Sequence, residues 1–131
     1  DADTPEDYAA LLEYHNSQLV RPEIHAELVR EKAFFDEKIA MLLTLVEETA
    51  SVRAACQRMQ ISYSTGWNMI RTLESQLHYP LIVRNQGGAG GSASRLTEEG
   101  EKLLDRFNCF QAELREQADL LYAKYFSEVF E

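Results

Sequence analysis

Two helical patterns lie almost end to end between residues 51 and 77, with only Gln60-Ile61 between them. In the first, Val52, Ala55, Cys56 and Met59 recur at spacings of three and four; in the second, Trp67, Ile70, Leu73 and Leu77 do. Such spacing gathers each set onto one stripe, and a stripe of that kind must be buried. Ser51 suits the N-cap of a helix over 52–59, and Ser62 the N-cap of a helix over 63–77. Helices joined by so tight a turn form a helix-turn-helix, and the small Ala54 and Ala55 let them cross closely. The far side of the second helix carries Ser64, Thr65, Asn68, Arg71 and Ser75, short polar groups or Arg with almost no acid.

The flanking segments complete a recognisable order. Downstream, Leu81-Ile82-Val83-Arg84 reads as a strand, residues 85–94 as a glycine-rich loop, and Arg95-Leu96 as the returning strand: a wing over 81–96. Upstream, alternation from Ile24 to Arg30, then Ala33-Phe34-Phe35, predicts a β-hairpin within 21–35. Asp36 then caps a helix over 37–49 whose core face is Ile39, Leu42, Leu43 and Val46. Residues 1–20 form a helical arm, opened by Thr4-Pro5-Glu6-Asp7 and carrying only a thin apolar stripe around Ala9 and Leu12. Thr97 caps a final helix from Glu98 to about Phe126 within the dimerisation segment 97–131, with Leu103, Phe107, Phe110, Leu114, Ala118, Leu121 and Tyr125 along one side. At about 1.5 Å per residue it would reach roughly 44 Å, farther than one small domain can cover. A second copy of the chain is the simplest cover, so Phe107, Phe110, Leu114, Leu121 and Tyr125 are the expected dimerisation residues. The fold class is mainly α (α+β): a winged helix-turn-helix over 21–96 with an N-terminal hairpin and a long C-terminal dimerisation helix.

Charge and composition narrow the function. The chain of 131 residues has a net charge of -9, which by itself argues against binding nucleic acid. The charge is unevenly spread. Residues 51–95 hold five arginines against one acid, Glu74, and all the excess of acid lies on either side. Within a Debye length of about 8–10 Å a docked phosphate feels that local balance more than the total. The longest apolar run, Ile39 to Val46, is broken by Thr44 and is too short for a membrane span, and no secretory signal pattern opens the chain. A cytoplasmic protein is therefore expected. Cys56 and Cys109 lack CxxC spacing and read as buried free thiols. Gly87 to Gly91 lacks the Lys and Ser or Thr of a phosphate-binding loop, His15, His25 and His78 never fall at HxxxH spacing, and no Ser is framed as GxSxG. Neither enzyme, metal site nor cofactor is expected.

A helix-turn-helix places its second helix in the major groove, leading with the N-terminal residues. Tyr63, Ser64, Thr65 and Asn68 are then the expected base contacts, Asn68 being able to pair bidentately with adenine. Arg53, Ser62, Arg71, Arg84, Gln86 and Arg95 are the expected contacts to the DNA backbone, which set register rather than sequence. The bland readings stand beside these: a small polar helix face is also what solvation yields, and a glycine loop is also a slack connection. The alternative function is a winged-helix protein-interaction module that has lost DNA binding. It gains if the basic faces of a dimer point apart or lie under acidic residues.

The same residues carry a resemblance. Glu48-Thr49-Ala50-Ser51, Ala54-Ala55, Ile61-Ser62-Tyr63-Ser64-Thr65-Gly66-Trp67, Pro80-Leu81-Ile82-Val83-Arg84, Gly87-Gly88-Ala89-Gly90-Gly91 and Leu96-Thr97-Glu98-Glu99-Gly100 resemble the N-terminal domain of ModE-type molybdate-responsive regulators. The helix-turn-helix is similar, more distantly, to LysR-type regulators. The resemblance runs from about Arg21 to Phe107. It implies a winged-helix transcriptional regulator that dimerises through this domain and binds double-stranded DNA, with Tyr63, Ser64, Thr65 and Asn68 facing it. Two positions depart from the family pattern: Ala50 and Gln60 stand where it has Gly, at turns that often need positive φ. ModE regulators proper continue into a molybdate-binding domain, and no counterpart lies within residues 1–131, which leaves the effector open.

Overall fold

The structure, a computed structural model, describes residues 4–86 and 92–130. In chain order its elements are α1 (Pro5–Gln18), β1 (Glu27–Arg30), β2 (Lys32–Asp36), α2 (Glu37–Thr49), α3 (Val52–Met59), α4 (Tyr63–Leu77), β3 (Ile82–Gln86), β4 (Ser92–Leu96) and α5 (Glu98–Phe126). The result is mainly α with two small antiparallel hairpins, arranged as a winged helix-turn-helix. Two compact units divide the chain: residues 25–113, and residues up to 24 together with those from 114 onward.

Within residues 25–113, one apolar cluster joins every element. Phe35 of β2, the α2 face Ile39, Leu42, Leu43 and Val46, Ala55 and Cys56 of α3, and Ile70 and Leu73 of α4 are all buried. Leu81, Leu96, Leu104 and Phe107 close it from the wing and α5. Caps punctuate the elements as their side chains dictate. Asp36 Oδ1 accepts from the Ile39 N–H at 3.0 Å, Ser51 Oγ from Ala54 at 3.0 Å and Ser62 Oγ from Thr65 at 3.1 Å. At the C-terminal ends three helices stop on a left-handed residue that is not glycine: Ala50 (φ 57°), Gln60 (φ 58°) and His78 (φ 63°). Gln60 and Ile61 form a Schellman closure, their N–H groups donating to Gln57 O and Cys56 O, each at 3.1 Å.

The upstream hairpin is shorter than the alternation suggested. Glu27 pairs with Asp36, and there β2 ends because Asp36 turns to cap α2; β1 has no partner strand before Glu27, so residues 21–26 are not strand. The wing strands reach farther than the sequence suggested, with pairing from Ile82↔Leu96 out to Gln86↔Ser92. Its root is fixed by Thr97 N–H donating to Leu81 O at 2.9 Å and by Ser94 N–H donating to Ala50 O at 2.8 Å.

α5 uses its faces differently from the apolar stripe. Gly100, Leu104, Phe107 and Gln111 are its buried residues. A Cβ on Gly100 would sit 2.9 Å from Leu81 O, so the helix approaches the wing root backbone closely. Phe107 is a correction to the dimerisation set: it is 3% exposed and meets the Phe35 ring edge-on at 4.5 Å, spent on the chain's own core. Cys109, two residues on from Phe107 and so turned away from that face, is exposed rather than buried; Cys56 is buried as expected. The other unit holds α1, none of whose residues is buried, and the distal part of α5. Tyr8, Leu11, Leu12 and Tyr14 on α1 and Leu120, Leu121, Tyr125 and Phe126 on α5 are exposed.

Candidate nucleic-acid interface

The crossing of α3 and α4 sets the site. The buried seam of α4 is Gly66, Ile70 and Leu73, so Trp67 and Leu77 lie at its edge, only partly covered, rather than at its centre. At Gly66 the two helices touch: an added Cβ there would overlap Cys56 Sγ. Burial raises the Cys56 thiol pKa above its ordinary value, against a smaller lowering by the Arg53 charge.

With that seam inward, α4 turns Ser64, Asn68, Arg71 and Ser75 outward, all exposed. One flank of this face meets the upstream hairpin. Thr65, Asn68 and Met69 line an open groove of about 440 Å³ whose other wall includes Phe34, Asp36 and Lys38. The hairpin is pinned there by Arg30 Nη1 donating to Gln76 O at 2.8 Å. At the leading end of α4 the hydroxyls bond one another: Ser62 Oγ donates to Thr65 Oγ1 at 2.8 Å and lies 3.2 Å from Ser64 Oγ. The Ser62 hydroxyl is thus engaged as a cap.

The other flank is built from arginine and aromatic rings, a pattern the spacing of residues did not reveal. Arg53 of α3 stacks over the Tyr63 ring at 4.3 Å, and Tyr63 lies 6.3 Å from Trp67. Arg84 of β3 stacks over Trp67 at 4.3 Å and donates from Nη2 to Tyr63 Oη at 3.2 Å. Arg71 of α4 stands 5.7 Å from the Trp67 centroid. These distances fall within the range of cation–π attraction. Three expected phosphate contacts and one expected base contact are therefore one connected cluster spanning α3, α4 and the wing. Tyr63 is half-buried in it, held between two arginines. The signal in the sequence was the two aromatic residues four apart on α4, one helical turn, which placed both rings on one side.

Arg95 stands apart. In the wing register Arg84 pairs with Ser94 and Val83 with Arg95, so the two wing arginines lie on opposite faces of the ribbon. Ser94 and Leu96 are buried, which marks the Arg84 face as the inner one and leaves Arg95 outward. The glycine-rich tip, 87–91, and the side chain of Gln86 lie outside the described residues. Among the described residues no group of three or more His, Cys, Asp and Glu side chains is placed to hold a metal ion. No described helix is long and apolar enough to cross a membrane.

Residues 38–101 match the family described as bacterial regulatory helix-turn-helix protein, lysR family. The chain is 29% identical over 80 residues to the molybdenum transport protein ModE of Azotobacter vinelandii, covering 61% of this chain and 30% of that one. It is 26% identical over 90 residues to the DNA-binding transcriptional dual regulator ModE of Escherichia coli K12, covering 69% and 34%. A crystal structure of ArgP from Mycobacterium tuberculosis shares 30% identity over 68% of this chain and 31% of its own, with a TM-score of 0.49. The chain spans about a third of the length of these curated relatives. Its winged helix-turn-helix is thus similar to the ModE regulators and, over residues 38–101, to the LysR-family helix-turn-helix.

Proposed function

We propose that this chain is a sequence-specific, DNA-binding transcriptional regulator of the cytoplasm that acts as a homodimer. α4 enters the major groove, with Ser64, Thr65 and Asn68 toward base edges, and the wing lies along the sugar–phosphate backbone. The observation that carries the reading is the cluster of Arg53, Arg71 and Arg84 beside an outer helix face on which no acid stands. Tyr63, held between two guanidinia, contributes as their platform and reaches bases less freely than its neighbours. Arg53, Arg71 and Arg84 bind phosphate from the flank, and Arg95 reaches the backbone only from the outer face of the wing.

The second copy is supported by the exposed side chains of α5. Phe110, Leu121 and Tyr125 are 46%, 51% and 63% exposed, and with the half-buried Leu114 they form the apolar set that a partner would cover. A two-fold dimer would present two α4 helices roughly 34–36 Å apart, one turn of DNA. A mobility shift on genomic fragments at graded salt tests the reading. Sequence-selective retardation at low salt is the expected result, and its absence sinks the proposal. Arg71→Ala should weaken binding to all sequences alike, whereas Asn68→Ala should relax preference at one position.

A further inference from the structure

Trp67 is the chain's one tryptophan, and the seam between α3 and α4 closes without it, through Gly66, Ile70 and Leu73. Its ring instead serves two cations from different elements: Arg84 from the wing at 4.3 Å and Arg71 from α4 at 5.7 Å. Its Nε1 is buried and has no hydrogen-bond partner among the described residues, so hydrogen bonding does not account for the pose. Two guanidinia repel each other, and each long side chain loses rotamer freedom when it is fixed. A shared aromatic ring offsets both. It attracts each cation through its face without occupying the N–H edges; at Arg84 one of these donates from Nη2 to the neutral Tyr63 hydroxyl, and the others are left for phosphate. Those edges are the donors that grip phosphate bidentately, and a carboxylate partner would occupy them. Among the described residues neither Arg71 nor Arg84 is in a salt bridge; the Arg58–Glu48 pair, at 3.6 Å, lies elsewhere.

We propose that Trp67 is a positioning residue for DNA-backbone binding: it holds the wing's Arg84 beside Arg71 so that helix and wing engage the phosphates as one preformed pair. Tyr63 sets the far end, through its 3.2 Å bond from Arg84. The inference rests on the DNA-binding reading above and adds a residue that touches no phosphate itself.

Fluorescence anisotropy of the full chain with a fluorescein-labelled, mixed-sequence duplex over a salt series tests it. Arg84→Ala should weaken binding and lower the salt slope by about one. Trp67→Leu should weaken binding roughly twofold to tenfold in the native background. It should cost almost nothing further once Arg71 and Arg84 are both alanine, and Trp67→Phe should restore most of the affinity. An equal loss in both backgrounds means that Trp67 acts through the fold, which overturns the proposal. If Trp67→Leu does not fold, the native tryptophan decides. Its emission should change along the same titration curve as the anisotropy, and the change should shrink in Arg84→Ala; unchanged emission also overturns the proposal. If the native chain binds no duplex at low salt, the DNA-binding reading falls, and this inference with it.

Discussion

A Cβ placed on Gly66 would overlap the Cys56 sulfur, so the helix-turn-helix closes on a glycine of one helix against a thiol of the other. The next neighbours, Ile61 Cδ1 at 3.8 Å and Cys56 Cβ at 3.9 Å, are at ordinary contact distance. The steric conflict is therefore with one atom. Gly66→Ala should destabilise the fold by about 1–3 kcal/mol through overpacking. Cys56→Ala, which removes that sulfur, should cost on the order of 1 kcal/mol alone. The double variant should recover most of the Gly66→Ala loss, helped by the roughly 1 kcal/mol by which Ala is favoured over Gly inside a helix. Urea unfolding of the four proteins checks this, and additive losses would count against the stated packing.

Ala50 and Gln60 hold left-handed conformations at φ 57° and 58°, where a Cβ is strained. Both end a helix through hydrogen bonds of their own N–H: Ala50 to Val46 O at 2.8 Å, and Gln60 to Gln57 O at 3.1 Å. Glycine keeps those bonds and removes the strain. Ala50→Gly and Gln60→Gly should each stabilise the protein by about 0.5–1 kcal/mol, after the added freedom of the unfolded chain is counted. Thermal and urea midpoints should rise for each, and for the pair together by about the sum.

Glu47 on α2 lies beside Glu101 on α5. Loss of hydration, then the charge and a hydrogen bond of Glu101, raise the Glu47 pKa above its ordinary 4.5. A carboxyl with a raised folded-state pKa favours folding most below its ordinary pKa and loses that contribution as pH rises through the folded value. Glu47→Gln should therefore gain on the native protein as pH climbs from the acid side of 4.5 toward neutrality, and the two should converge in acid. The carboxyl is largely exposed, so the effect is small and should shrink further with salt. Melting temperatures across pH at low and high salt measure it.

Phe107 and Leu121 share one helix and should separate two properties. Phe107 is buried against Phe35, and Phe107→Ala should cost about 3–5 kcal/mol of stability. Leu121 is half exposed, and Leu121→Glu should leave the circular dichroism spectrum in place while shifting the sedimenting species from dimer to monomer. A Leu121→Glu protein that still sediments as a dimer would remove this helix face from the interface.

The sequence by itself determined where elements begin and what kind they are. Thr4, Asp36, Ser51 and Ser62 cap helices because a short side-chain oxygen next to a helical pattern satisfies N–H groups that the helix leaves bare. The wing and the positive-φ turns at Ala50 and Gln60 were legible for the same reason: local backbone chemistry fixes them. Tertiary structure alone decided how faces were shared. Periodicity put Phe107 and Phe110 on one stripe, yet the first meets Phe35 and the second stays exposed, because which sector of a long helix meets the core depends on where distant elements arrive. Alternation likewise could not separate Arg84 from Arg95, which the pairing register sets on opposite faces of the wing. Arg71 lies one turn from Trp67 on α4, a proximity that spacing encodes, but the stacking of Arg84 over the same ring required the fold to bring β3 to α4.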